Sequence, residues 1–206
     1  MTTTRISIFP LSGAVLYPGL QLPLHIFEPR YRAMISDALA RDRRIGMIQP
    51  QQPVEGAPLF EVGCLGRIGE VEALEDGRYN IILEGEARFR LIRELDVTTP
   101  FRQVEGELIE DADTAISAVE RASFEREAQH FADRQGYSVD WESVTRLDDI
   151  SLINGVSQIV PFDSASKQAL LEAPGLSERC ELLVQLMQFY GQRSGDDDDE
   201  DRVTLQ

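Results

Sequence analysis

Val62-Gly63-Cys64-Leu65-Gly66-Arg67-Ile68 continues through Gly69-Glu70-Val71-Glu72-Ala73 to Leu74, breaks at Glu75-Asp76-Gly77, and resumes as Arg78-Tyr79-Asn80-Ile81-Ile82-Leu83. An Asp-Gly pair between two extended runs is a strong short-range hairpin signal, because both turn residues tolerate positive φ. Glycines at 63, 66 and 69 in the first arm point to bends or bulges. Outward from this hairpin the pattern stays extended. Arg5-Ile6-Ser7-Ile8-Phe9 alternates with period two and stops at Pro10. Leu22–Phe27, Ile45–Gln49, Phe89–Leu95 and Phe101–Ile109 read as further strands. Many short strands with regular turn signals predict a barrel or a strongly twisted sheet.

One helix interrupts the strands. Pro29 stands at a first helical position, with Glu28 placed near the positive end of the dipole. Tyr31, Met34, Ile35, Ala38 and Leu39 then share one face, which predicts a helix from about Pro29 to Arg41 packed on the sheet. After Glu110 the period changes. Asp113 or Thr114 caps a helix with apolar positions at Ile116, Val119, Phe124, Ala128 and Phe131, and Gly136 stops it. Trp141, Val144, Leu147, Ile150 and Ile153 continue the helical spacing. A short helix follows from Asp163 or Ser164 to Glu172, and Ser177 caps a last one bearing Cys180, Leu183, Leu186, Met187 and Tyr190. The fold class is therefore α+β. A β-rich subdomain over residues 1–110 precedes a helical bundle over 111–192, and an acidic, disordered tail over 193–206 closes the chain.

Charge and composition exclude several functions. The chain has 206 residues and a net charge of −16. Six of the acidic residues form the run from Asp196 to Asp201, and the rest of the chain is still strongly acidic. Binders of nucleic acid need a basic stripe to displace counterions from phosphates, so nucleic acid and anionic membrane are not expected partners. No apolar run approaches the roughly 20 residues a membrane span requires. Met1-Thr2-Thr3-Thr4-Arg5 lacks the features of a secretory leader, and a cytoplasmic address is the expectation. Cys64 and Cys180 lie far apart, outside any CxxC spacing, and read as buried thiols.

Catalytic signatures are missing. The sequence holds no G-x-x-x-x-G-K-[ST] and no G-x-S-x-G, and Lys167 is its sole lysine. Ser166 and Lys167 are adjacent, so on a helix they point about 100° apart and cannot form a dyad with each other. His25 and His130 have no metal-ligand spacing. His25 reads as a structural histidine satisfied by backbone, and His130 as a surface residue of a helix. The expectation is a non-catalytic protein with no cofactor and no metal.

Phe9-Pro10-Leu11, Val15-Leu16-Tyr17-Pro18-Gly19 and Leu22-Pro23-Leu24-His25-Ile26-Phe27-Glu28-Pro29-Arg30-Tyr31 form a block that resembles the Lon N-terminal domain family, the substrate-binding domain at the front of Lon-type ATP-dependent proteases. Val62–Ile68, Asp76–Ile81 and Gly85-Glu86-Ala87-Arg88-Phe89-Arg90 support the likeness, as do Lys167–Glu172 and Arg179. The likeness spans about residues 5–190 and is greater to standalone members than to protease-fused ones. It implies a PUA-like pseudo-barrel of six strands followed by a helical bundle. It also implies a polypeptide-binding module, an adaptor for proteolysis or protein quality control, without the ATPase and Ser-Lys protease modules of a full Lon protease. The alternative is an RNA-binding protein, since PUA-like folds can bind RNA, and the net charge opposes it.

Within the first block, Phe27, Glu28, Arg30 and Tyr31 are the candidate peptide-binding residues, because an aromatic face grips unfolded segments without strict sequence demand and charges orient them. Arg88 is expected to reach a carboxylate such as Glu28 and fix the helix on the barrel. Expected partners are unfolded or partly folded polypeptides and a protease, and self-association across a twofold axis is left open.

Overall fold

A computed structural model describes residues 3–111 and 115–200, with side chains through residue 192. In chain order its elements are β1 (Thr3–Pro10), β2 (Gln21–Ile26), α1 (Pro29–Leu39), β3 (Arg44–Ile48), β4 (Val62–Ala73), β5 (Tyr79–Glu94), β6 (Gln103–Leu108), α2 (Ala118–Gln135), α3 (Trp141–Thr145), α4 (Asp149–Ile159), α5 (Ser164–Glu172) and α6 (Leu176–Glu200). They form two compact units. One comprises residues up to Asp111 together with Asp163–Glu172, and the other the remainder. The expected division at residue 110 assigned the short helix at 164–172 to the bundle. Its α5 instead packs on β4 in the sheet unit.

The sheet unit is a closed barrel with one added strand. β5 is the reason. Its first half pairs with β2 and β4 and its second half with β4 and β6, so the ring β5-β4-β3-β1-β6 closes on itself. All pairings are antiparallel except β1 with β3. The expected hairpin joins β4 to β5, with Gly77 at φ 78° in the turn.

The two arms read as separate strands on either side of Gly85 are a single strand. Glycine there permits a close approach and does not end the strand. A Cβ on Gly85 would lie 2.0 Å from the Tyr17 carbonyl oxygen, and the Gly85 amide donates to Leu20 O at 2.8 Å. The loop before β2 is thereby sewn to mid-β5 without breaking the barrel strand.

So narrow a barrel has room for little in its middle, and Phe89 fills it. The strands facing Phe89 present glycine. A Cβ would sit 2.9 Å from its ring at Gly46, 2.7 Å at Gly63 and 3.1 Å at Gly106. Ile6, Ile8, Ile48, Leu65 and Val104 complete this layer. A second layer lies under α1, where Met34, Ile35 and Ala38 pack with Leu16, Ile26, Ile45, Ile68 and Leu83. Arg88, adjacent in sequence to Phe89, is 2% exposed. It does not reach Glu28 as expected. Nε donates to Asp111 at 2.8 Å, Nη2 donates to the same oxygen, and Nη1 donates to the Leu171 carbonyl at 2.5 Å. Glu28 lies on the N-terminal side of α1, whereas β5 carries Arg88 toward α5 and the end of the sheet unit.

In the helical unit α2 starts at Ala118, with Ser117 as its N-cap. The expected caps at Asp113 and Thr114 fall outside the described residues. Ser117 and Glu120 form a capping box, and Gly136 ends the helix at φ 69°, as its sequence position predicts. Phe124, Ala128 and Phe131 are buried, whereas Val119 in the first turn is exposed. α6 packs on α2 and α4 through Cys180, Leu183 and Met187. Arg121 ties α2 to the α3–α4 corner, donating to Asp149 at 2.6 Å and to the carbonyl of Leu147 at 2.9 Å. α6 also extends through Glu200, into the stretch expected to be disordered from 193. Extending an existing helix adds a hydrogen bond for each residue fixed and needs no core. Residues 201–206 lie outside the described ones.

Candidate functional site

The four residues singled out in sequence meet where β2 hands over to α1. Pro29 sets the first helical turn and Glu28 precedes it in extended conformation. Arg30 and Tyr31 are consecutive on a helix and so point about 100° apart. Arg30 turns outward. Its Nη2 lies 2.9 Å from Glu28 Oε2, and its Nη1 pairs with Glu55 on the loop between β3 and β4. Its guanidinium sits 4.7 Å over the Tyr31 ring centroid.

Tyr31 itself is core, not surface. It is 8% exposed and packs edge-on against Phe9 at 4.4 Å. Burial raises the pKa of its phenol above the usual value. Phe27 is the reverse case. It is 60% exposed, at the end of a strand whose next inward residue, Ile26, is buried. The structure thus brings Glu28 and Arg30 together on the surface, leaves Phe27 beside them in the chain as an open aromatic face, and withdraws Tyr31. Sequence reading missed Glu55, which has no local signal because it lies 25 residues from Arg30.

A row of polar side chains extends from Phe27 across the sheet. His25 stacks on Phe27 with centroids 6.1 Å apart. His25 Nδ1 lies 2.7 Å from Asn80 Oδ1, and the Asn80 amide nitrogen donates to Glu72 at 2.6 Å. The Asn80 oxygen must therefore accept, which places the proton of His25 on Nδ1. His25 Nε2 then accepts from Arg78 Nη1 at 3.2 Å, and Arg78 Nε donates to Asp76 at 2.6 Å. Side chains, not backbone, satisfy His25. The cause is the β2–β5 register, which sets His25 opposite Asn80. This row borders a shallow groove of about 460 Å³ on the outer face of β2, β5 and β4.

A larger cleft of about 1210 Å³ opens elsewhere on the sheet unit. Arg44 and Arg41 on its walls are held by Glu86 at 2.6 Å and Asp37 at 3.0 Å. These two cations are thus neutralised in place, whereas Arg5 on the same wall donates to the neutral Gln103 side chain. Among the described residues no cluster of three or more His, Cys, Asp or Glu side chains could hold a metal ion. Burial pushes the Cys180 thiol up to about 11 and raises Cys64 too, so neither is a ready thiolate. Among the described residues no helix is long and apolar enough to cross a membrane. The surface thus presents an exposed aromatic side chain, pinned charges and grooved sheet faces.

The family model for the substrate-binding domain of ATP-dependent protease La (LON) matches residues 5–188. Lon protease 2 of Myxococcus xanthus is 26% identical over 194 residues, which cover 88% of this chain and 23% of that protein. Lon protease 2 of Herpetosiphon aurantiacus is 27% identical over 190 residues, covering 86% and 23%. This chain therefore spans under a quarter of the length of these curated relatives. The crystal structure of a Lon N-terminal domain protein from Xanthomonas campestris superposes with a TM-score of 0.67 at 21% identity, over 88% of this chain and 98% of that one. The N-terminal domain of Mycobacterium avium complex Lon protease gives 0.65 at 19% identity, over 90% and 98%. The α+β architecture is thus shared with solved Lon N-terminal domains.

Proposed function

This chain belongs to the substrate-binding domain family of ATP-dependent protease La (Lon), and from that premise we propose that it is a polypeptide-recognition module that holds chain segments without cleaving them. The observation that carries the reading is the exposed Phe27 ring beside a fixed charge frame of Glu28, Arg30 and Glu55. An aromatic side chain offers large contact area at small entropic cost, and flanking charges orient an otherwise unspecified segment. The supporting chemistry is general and suits many sequences, as recognition of unfolded chains demands. In this reading the protein serves proteolysis or quality control as an adaptor, passing captured segments to a protease or keeping them from it. The RNA alternative finds little support, because Arg30, Arg44, Arg78, Arg88, Arg90, Arg93 and Arg102 of the sheet unit are all engaged by carboxylates.

The test is fluorescence titration of a labelled, permanently unfolded protein. Saturable binding is expected. Phe27→Ser should weaken it about tenfold, the effect of losing roughly half to all of a buried Phe contact, with an unchanged circular dichroism spectrum. Absence of saturation by tens of micromolar would overturn the reading, as would binding indifferent to Phe27.

A further inference from the structure

Resting on that reading, we infer that the groove beside Phe27 selects extended segments carrying basic side chains. Its walls are Pro23 and His25 of β2 on one side and Glu70 and Glu72 of β4 on the other, with Asn80 and Ile82 of β5 as the floor. Strands two apart in a sheet are about 10 Å from each other, which admits one extended chain between the walls. The floor and near wall offer apolar contact at Ile82 and Pro23. The far wall is acidic.

Among the described residues no arginine is paired with either carboxylate of this wall. In the sheet unit Glu28, Glu55, Glu61, Glu86, Glu94 and Glu105 all form ion pairs with arginine. Among the described residues Glu70 and Glu72 form none, as Glu75, Glu84, Glu107, Glu110 and Glu172 form none, and of these only Glu70 and Glu72 line the groove. Glu72 accepts only the neutral Asn80 amide, which leaves its charge uncompensated.

The position of Glu70 is also fixed rather than incidental. Between Ile68 and Val71 the β4 ladder shifts register, so β4 carries one more residue there than β5 opposite, and Glu70 lies in that bulge. Arg43, at φ 62°, holds the bulge by donating Nε to Ile68 O at 3.0 Å and Nη2 to Gly69 O at 2.9 Å. A lysine or arginine of the bound segment can lay its aliphatic stem on Ile82 and Pro23 and bring its cation to Glu70 and Glu72. The same segment then meets the aromatic pair of His25 and Phe27 at the end of the groove.

The experiment compares two labelled, unstructured peptides of equal length and equal apolar content, one lysine-bearing and one with glutamate at the lysine positions. Binding is measured to the full chain, to Glu70→Gln/Glu72→Gln, and to Glu178→Gln/Glu181→Gln. The last variant removes the same charge from exposed positions on α6 and controls for the overall acidity. The full chain and the α6 variant should prefer the lysine peptide. The groove variant should lose about fivefold in affinity for it, as expected for two partly exposed ion pairs, while binding of the unfolded protein through Phe27 persists. A preference undiminished in the groove variant, or lowered equally in the α6 variant, overturns the inference and leaves the polypeptide-binding reading standing. Failure of both peptides and of the unfolded protein to bind overturns both. A light-scattering mass twice that of the monomer, abolished only by the groove substitutions, would assign the groove to a second copy and also overturn the inference.

Discussion

Replacing Arg88 by Met tests the account of how the sheet unit is held. The side chain is 2% exposed, and its guanidinium serves Asp111 and the Leu171 carbonyl at once. These contacts fasten the last residue of the barrel segment and α5 to the same point on β5. Methionine keeps most of the stem volume and removes every donor. Breaking a buried ion pair costs about 3–5 kcal/mol when the orphaned partner stays buried. Asp111 has 38% of its side chain exposed and can turn to water, which reduces that figure. The Leu171 carbonyl loses a charge-assisted bond, worth about 1.5–3 kcal/mol. The expected net loss is about 3 kcal/mol.

Urea unfolding measures it. The single tryptophan, Trp141, lies in the helical unit, so its fluorescence and the circular dichroism of the strands separate the two units. The strand signal should shift to lower urea by more than the tryptophan signal. Asp111→Asn leaves the guanidinium buried without a counter-charge and should also destabilise. The double variant should cost less than the two single costs added together, since the contact is shared. A loss below about 1 kcal/mol for Arg88→Met, or simple additivity, would refute the reasoning.

Other consequences are open to measurement. Gly63→Ala would place a methyl 2.5 Å from the Met47 carbonyl oxygen and 2.7 Å from Phe89, and should lower stability by about 3 kcal/mol or more through overpacking. Gly155→Ala in α4 meets nothing within 4 Å and should raise stability by about 0.5–1 kcal/mol, read as a higher Tm. Tyr31→Ala should cost about 3–5 kcal/mol as a core deletion, whereas Phe27→Ala should move stability by less than about 0.5 kcal/mol and act on binding alone. Hydrogen bonds from the Ser117 and Ser177 hydroxyls and the Ser117 amide hold Glu120 at a pKa of about 2, below its ordinary 4.5. A folded pKa below the unfolded one stabilises above the ordinary value and is lost as pH falls toward about 2. Glu120→Gln should therefore flatten the loss of stability across that window, followed by thermal melts at stepped pH.

Much of the architecture was legible along the chain because its causes are local. The turn at Asp76-Gly77 needs one residue that accepts positive φ, Gly77, α1 needs a period of 3.6 behind Pro29, and α2 needs a left-handed residue at Gly136 to stop it. The β-then-α order follows from the change of period near residue 110. The surface cluster was half legible. Phe27, Glu28 and Arg30 stand together because they are neighbours in sequence, yet Tyr31, one residue further, is turned inward by the helix.

What local pattern could not supply are pairings between distant residues. Gln49 donates to Gln168 across 119 positions and helps seat α5 in the sheet unit, not in the bundle. His25 finds Asn80 across 55 positions because β2 docks on β5 in one register. β5 passes through Gly85 unbroken because Tyr17 packs where a Cβ would be, and Arg88 reaches Asp111 rather than Glu28 because the closed barrel carries it there. Backbone preference and side-chain periodicity act over a few residues, so they are written in order along the chain. Register, closure and the destination of a buried charge are settled by which remote segments can pack together, and those contacts exist only once the chain has folded.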